Sequence, residues 1–150
     1  MPYKQPVSVL VIVHTSDLHV LLLERADFPD HWQSVTGSQD EDEDLPATAR
    51  REVLEETGID SDWYGGPLDW GLTQQYEIFP QWRHRYPPGT THNTEHVFSL
   101  DVRTQVPVTL APREHIRHAW LPWKAAAARC FSWSNRDAIL ALPSRARQSA

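Results

Sequence analysis

The chain has 150 residues, 40% of them hydrophobic, and a formal net charge of −6. That length supports one domain with a real core and leaves no second domain to seek, and the acidic balance excludes a general binder of nucleic acid or of membrane surfaces. Cys130 is the only cysteine, which excludes an internal disulfide and a cysteine metal cluster, fits a reducing, cytoplasmic compartment, and suits a small core residue.

Residues 6–14 and 18–25, PVSVLVIVH and LHVLLLER, are β-branched and aliphatic runs around a turn at Thr15, Ser16 and Asp17, and are expected to pair as central, buried strands. The first run is too short to span a bilayer, and only Lys4 precedes it, with no cleavage site. The segment DFPDHWQSVTGS then bridges to an acidic stretch. Residues 68–79 and 94–102 read as further strands, with a bulge expected at Gly71. Between them, residues 81–93 are polar, basic and broken by Pro87, Pro88 and Gly89, and read as a loop. A last strand at 114–121 leads to the helical stretches PWKAAAARCF and SNRDAILAL. The seven tryptophans are expected mainly as core or interface anchors. With no repeat or linker, the expectation is one domain over residues 5–142 and a small, polar, frayed tail at 143–150. A mixed sheet with one helix after the second strand and two at the end makes an α/β/α sandwich.

Residues 37–59, GSQDEDEDLPATARREVLEETGI, carry the chemistry. Asp40, Glu41, Asp42, Glu43 and Asp44 crowd into a loop; Pro46 and ATARREVLEE supply a helix start and strong helix formers, and Gly58 a stop. At about 100° per residue Glu52, Glu55 and Glu56 fall on one face, beside an apolar stripe of Leu45, Ala49 and Val53. Like charges near a packed side repel unless a cation lies between them. Mg²⁺ takes oxygen ligands, typically one or two protein carboxylates, waters and the oxygens of a substrate phosphate. A calcium loop on Asp40, Asp42 and Asp44 fails, because Leu45 stands where the turn needs Gly and Arg51 where the last ligand needs Glu. The plainer alternative is a solvated helix face with Arg51 as its ion-pair partner.

The full spacing decides between these. Gly37, Glu43, Arg51, Glu52, Val53, Glu55, Glu56, Gly58 and Ile59 resemble the Nudix box at all nine of its fixed positions. Asp42, where relatives often have Gly, departs only at a position that is not fixed. The resemblance implies the Nudix fold and a hydrolase of nucleoside-diphosphate-like linkages with Mg²⁺ as cofactor. Glu52 and Glu56 are the expected metal ligands. Glu55 holds another ion through water or accepts a proton, and Arg51 orients the glutamates, with a plain helix salt bridge as its alternative.

Outside the box, YKQPVSVLV, FPDHWQSVTGS, YEIF, RHRYPPGTTHNTE, EHIRHAWL and SWSNRDAI are similar to one Nudix subfamily, the bacterial dihydroneopterin triphosphate pyrophosphatases of folate biosynthesis. That similarity implies release of pyrophosphate from the pterin triphosphate, with dATP-like nucleotides as side substrates. It makes Glu114, on the residues alone a surface carboxylate, the third metal-binding carboxylate. It makes Lys4, Arg25, Thr36, Tyr76, Glu77, Ile78, Phe79 and Ser132 substrate contacts. The chemistry is consistent: Lys4 and Arg25 are cations for a triphosphate, a tight backbone at Thr36 and Gly37 presents amides, and Tyr76 and Phe79 offer faces for a pterin ring. Arg83, His84, Arg85 and Tyr86 carry a weaker phosphate or interface role. The implied partner is a free small-molecule triphosphate, and the assembly a monomer or homodimer. The alternatives are a Nudix hydrolase of ordinary nucleoside triphosphates or RNA 5′ ends, and a non-catalytic, nucleotide-sensing Nudix-like domain.

Overall fold

Strand β1, Val7–Thr15, is buried along all but its first residue, as a near-continuous hydrophobic run demands when both faces of a strand are covered. In the computed structural model, which describes residues 3–148, β1 is the centre of a mixed sheet. The other strands are β2 (His19–Arg25), β3 (Trp32–Gln33), β4 (Val35–Ser38), β5 (Leu68–Glu77), β6 (His92–Arg103) and β7 (His115–Pro122). The order is β3-β2-β1-β6-β5, with β4 also on β1 and β7 also on β2. Among the strand pairs of the described residues only β1–β6 is parallel, with one further parallel bridge between Trp32 and Cys130.

The expected pairing of the first two runs survives at a single register position, His14 with Val20. Beyond it β1 turns to β4, from Ser8 with Ser38 to Val11 with Val35, and β2 turns to β7. Strands β3 and β4 replace the bridge expected from the sequence, two and four residues long and so too short to carry a period. The Gly71 bulge is present, as a register break between Asp69 and Thr73 with Gly71 at φ 65°.

The alternation along β1 builds two cores. Val9, Val11 and Val13 pack with Phe98, Leu100 and with Ala49 and Val53 of helix α1, Leu45–Thr57. Leu10 and Ile12 face the opposite way, onto helices α2 (Trp123–Arg129) and α3 (Trp133–Gln148) through Ala126, Ala127, Ile139 and Leu142. The result is the α/β/α sandwich. Each fully buried aliphatic side chain contributes about 1.5–3 kcal/mol to it. Asp44 caps α1 by accepting from the Ala47 N–H at 2.8 Å, and Gly58 ends it at φ 74° with its N–H on the Leu54 carbonyl.

Up to residue 148 the tail differs from expectation; its last two residues, 149 and 150, lie outside the described residues. Helix α3 continues through Pro143 to Gln148, where a frayed end was expected. Leu142 is buried in the core, and Arg145 donates to the Trp70 carbonyl at 3.0 Å while its guanidinium covers the Trp70 ring, which anchors the last turns. Among the described residues no helix is long and apolar enough to cross a membrane.

Candidate active site

Helix α1 sets its glutamates at different depths. Glu56 falls in line with Ala49 and Val53 and is 1% exposed, the Glu52 side chain is 12% exposed, and that of Glu55 is 53% exposed. The single face expected for the three is therefore a graded one. Their positions spread over about 100° of arc, enough to carry Glu55 from the packed side into water.

Arg51 ties this group together. Its Nε and Nη2 donate to the two Glu43 oxygens at 2.8 and 3.0 Å, and its Nη1 to Glu52 at 2.7 Å and Glu55 at 3.4 Å. Nη2 also reaches the Ser38 carbonyl of β4 at 3.1 Å, so the guanidinium fastens helix to sheet as well as carboxylate to carboxylate. The Arg51 fork holds the Glu43 carboxyl down at about 2, below its ordinary 4.5. Stability from a depressed carboxyl is present above pH 4.5 and is lost as pH falls through about 2. Glu43→Gln is thus expected to lower the thermal midpoint above pH 4.5 and to close the gap to wild type as pH approaches 2. Calorimetry showing the same gap throughout that range would remove the pairing from the stability of α1.

Neither carboxyl oxygen of Glu56 has a hydrogen-bond partner of normal geometry; the Glu52 carboxyl and the Thr36 backbone act on it more loosely. His115 Nε2 lies 3.7 Å from Oε1, but burial holds that imidazole down at about 4, so it is neutral and no counter-ion at pH 7. Gln33 Oε1 accepts from Arg25 Nη1 at 3.0 Å, and Gln33 Nε2 lies 3.5 Å from His115 Nε2. Burial first, and Glu52 next, hold the Glu56 carboxyl well above its usual value, and burial raises Glu52 as well. The Glu52 carboxylate fills the space beside Gly37, where a methyl group would overlap its terminal carbon and both oxygens. Buried oxygens without a hydrogen bond of normal geometry, and a slot open only over glycine, fit a hard divalent cation.

The expected third carboxylate stands apart. Among the described residues no three His, Cys, Asp or Glu side chains converge as a ligand set. Glu52 is drawn to Arg51, and Glu114 is exposed just before β7, although its charge acts on Glu56 across the same cleft.

That cleft has a volume of about 1350 Å³, and every residue expected as a catalytic, metal-binding or substrate-binding group lines it; of the basic run, Arg85 and Tyr86 line it and Arg83 and His84 do not. The Lys4 N–H donates to the Arg85 carbonyl at 2.8 Å, which brings the two cations together. Lys4 is open to the cleft, yet the surrounding protein and then Arg85 push its ammonium below the usual value. Arg25 is already engaged, forked on Asp27 at 2.8 and 2.9 Å with its guanidinium 4.3 Å over the Trp82 ring. Thr36 sits within β4, so the tight backbone expected there is a strand, and its hydroxyl donates to the Val9 carbonyl at 3.0 Å. The Tyr76 hydroxyl accepts from Asn93 at 3.0 Å, Glu77 pairs with Arg83, and the Ile78 side chain is buried. Ser132 occupies the N-cap position of α3 and accepts from the Asn135 N–H at 3.3 Å. Phe79 is 39% exposed and meets Trp82 and Phe131 at centroid distances of 5.5 and 5.9 Å.

A profile of the NUDIX domain matches residues 4–142. The chain belongs to the Nudix family. Dihydroneopterin triphosphate diphosphatase of Escherichia coli (strain K12) is 48% identical over 139 residues, 91% of each chain. The protein of that name from Haemophilus influenzae is 40% identical over 141 residues, covering 93% of this chain and 88% of its own. The solved structure of the E. coli dihydroneopterin triphosphate pyrophosphohydrolase matches with a TM-score of 0.87 and 46% identity, over 93% of this chain and 95% of that one. Nudix hydrolases generally use a divalent metal ion, which agrees with the donor set on α1.

Parts of the Nudix cleft lay beyond the sequence reading. Residues 81–93 were expected as loop, but Pro80–Arg85 forms a 3₁₀ helix that delivers Trp82 to Phe79, Phe131 and Arg25. The run WRHRY, an aromatic among cations, was its signal. Phe131, His115 and Glu95 had no comparable signature: each reaches the cleft only through the packing of a distant element.

Proposed function

We propose that this Nudix hydrolase cleaves dihydroneopterin triphosphate to dihydroneopterin monophosphate and pyrophosphate, with Mg²⁺ as its metal and dATP-like nucleotides as side substrates. The observation that carries the reading is the identity of nearly half, 48%, to the E. coli diphosphatase across 91% of both chains. We place it in the cytoplasm, acting as a monomer or homodimer on a free small molecule.

In this reading Glu52, Glu56 and Glu114 hold the metal. A divalent ion there neutralises phosphate charge and makes an attacking water more acidic. Arg51 holds Glu52 and Glu55 in place through its bonds at 2.7 and 3.4 Å. Glu55, at the exposed rim, accepts a proton. Lys4 and Arg85 meet the phosphates: burial and then the neighbouring Arg85 lower the Lys4 ammonium's affinity for a proton, and two cations pressed together gain most from an anion between them. Arg25, forked on Asp27, acts by fixing Trp82 and Gln33 as well as by its charge. The ring enters between Phe79, Trp82 and Phe131, whose tilted and edge-on contacts leave faces for stacking.

The test is a side-by-side measurement of kcat/KM for dihydroneopterin triphosphate and dATP in Mg²⁺, with the products identified. Pyrophosphate and the monophosphate are expected, with the pterin preferred. Release of orthophosphate alone, or an outright preference for dATP, overturns the assignment.

A further inference from the structure

The cleft holds a second buried carboxylate for which the phosphate chemistry has no use. Glu95 on β6 is 3% exposed, lies opposite Gln74 of β5, and lines the cavity. Gln74 Nε2 donates to Glu95 Oε1 at 3.3 Å and to the Ser134 carbonyl at 3.1 Å. This holds the carboxylate against the first turn of α3, which Ser132 joins to Phe131, one wall of the aromatic slot. Burial pushes the Glu95 carboxyl up to about 7, against the opposing hydrogen bonds of Ser134 and Gln74. Neither of these neighbours is a cation.

A buried carboxylate without a counter-ion is costly, and its retention in a cleft marks it as a site for a ligand that supplies donors. Its two oxygens offer about four acceptor positions, of which Gln74 and Ser134 use a part. A 2-amino-4-oxo pyrimidine ring presents two donors side by side, the ring N–H and the exocyclic amine. Adenine presents one donor beside one acceptor, and a hypoxanthine ring has lost the amine. Resting on the reading of the substrate as a pterin triphosphate, we propose that Glu95 determines specificity for the ring, its carboxylate accepting both donors of the 2-amino-4-oxo edge while Phe79, Trp82 and Phe131 hold the ring faces. Gln74 is then the positioning residue that keeps the carboxylate turned to the ring.

The experiment compares kcat/KM for dihydroneopterin triphosphate, dGTP, dITP and dATP in the wild type and in Glu95→Gln, with thermal midpoints alongside. The amide of Gln replaces an acceptor with a donor that opposes the ring's own donors. The preference for dihydroneopterin triphosphate over dATP is expected to fall on the order of 100-fold, and the preference for dGTP over dITP to collapse with it. A folded Glu95→Gln that slows all four substrates by one factor, or leaves both ratios as they were, overturns the proposal and makes Glu95 a packing residue. Should the variant not fold, the wild type alone decides, because equal rates on dGTP and dITP exclude an acceptor at the 2-amino group. These failures leave the substrate reading standing, whereas a wild type that ignores the pterin triphosphate overturns that reading and this inference with it.

Discussion

Glu56→Gln is expected to reduce turnover by roughly 10²-fold or more without lowering the thermal midpoint. Both halves of that expectation come from the same burial. The Glu56 carboxyl is 1% exposed, has no hydrogen bond of normal geometry on either oxygen, and is held well above its ordinary pKa by burial and by Glu52. A group in that position costs the folded state free energy, so exchange for a neutral amide of the same shape relieves repulsion. The amide is at the same time a poor ligand for a hard cation. A side chain kept for stability behaves in the opposite way, and its removal lowers the midpoint. Turnover near wild type in a folded Glu56→Gln at saturating Mg²⁺ would take Glu56 out of the metal site. A lower midpoint with full turnover would make it structural.

Gly37→Ala is expected to cost on the order of 10²-fold in kcat/KM, although the change adds one methyl group to a strand that accepts alanine readily. The three atoms nearest the added carbon all lie at the end of the Glu52 side chain, the part that gives way most cheaply. The strand is therefore not what yields. The Glu52 carboxylate must swing away, and to do so it gives up the 2.7 Å bond from Arg51. A displacement of about 1 Å at a reacting centre is enough for a loss of that size. Circular dichroism and the thermal midpoint should change little, because the far end of a flexible side chain absorbs the overlap. Unchanged kinetics in Gly37→Ala would mean that Glu52 works from another position, and a collapse of the fold would mean that β4 has no freedom to keep its place.

The local rules of the sequence were sufficient for the core strands and for α1. Helix α1 is specified within its own stretch: Asp44 caps it, Gly58 ends it, and Ala49 and Val53 bury it. These are short-range effects that three or four neighbours settle. The one-turn spacing of Glu52 and Glu56 left a solvated helix face open as an alternative, and the resemblance to the Nudix box at nine fixed positions is what pointed to metal-dependent hydrolysis. Pairing and depth were decided elsewhere. Whether β1 joins β2 or β4 depends on strands that arrive later in the chain, and the parallel partner β6 begins only at His92. The depth of Glu56 against Glu55 depends on the sheet beneath α1, and the reach of α3 past Pro143 depends on Trp70, more than seventy residues away. The ring slot is the clearest case. Phe79 and Trp82 come from one segment, Phe131 from a second and Glu95 from a third. A buried carboxylate acquires its character from what surrounds it in space, and sequence neighbours say little about that: the helix pattern of α1 is legible along its own stretch, whereas the burial of Glu95 beside Gln74 is decided by the packing of β5, β6 and α3.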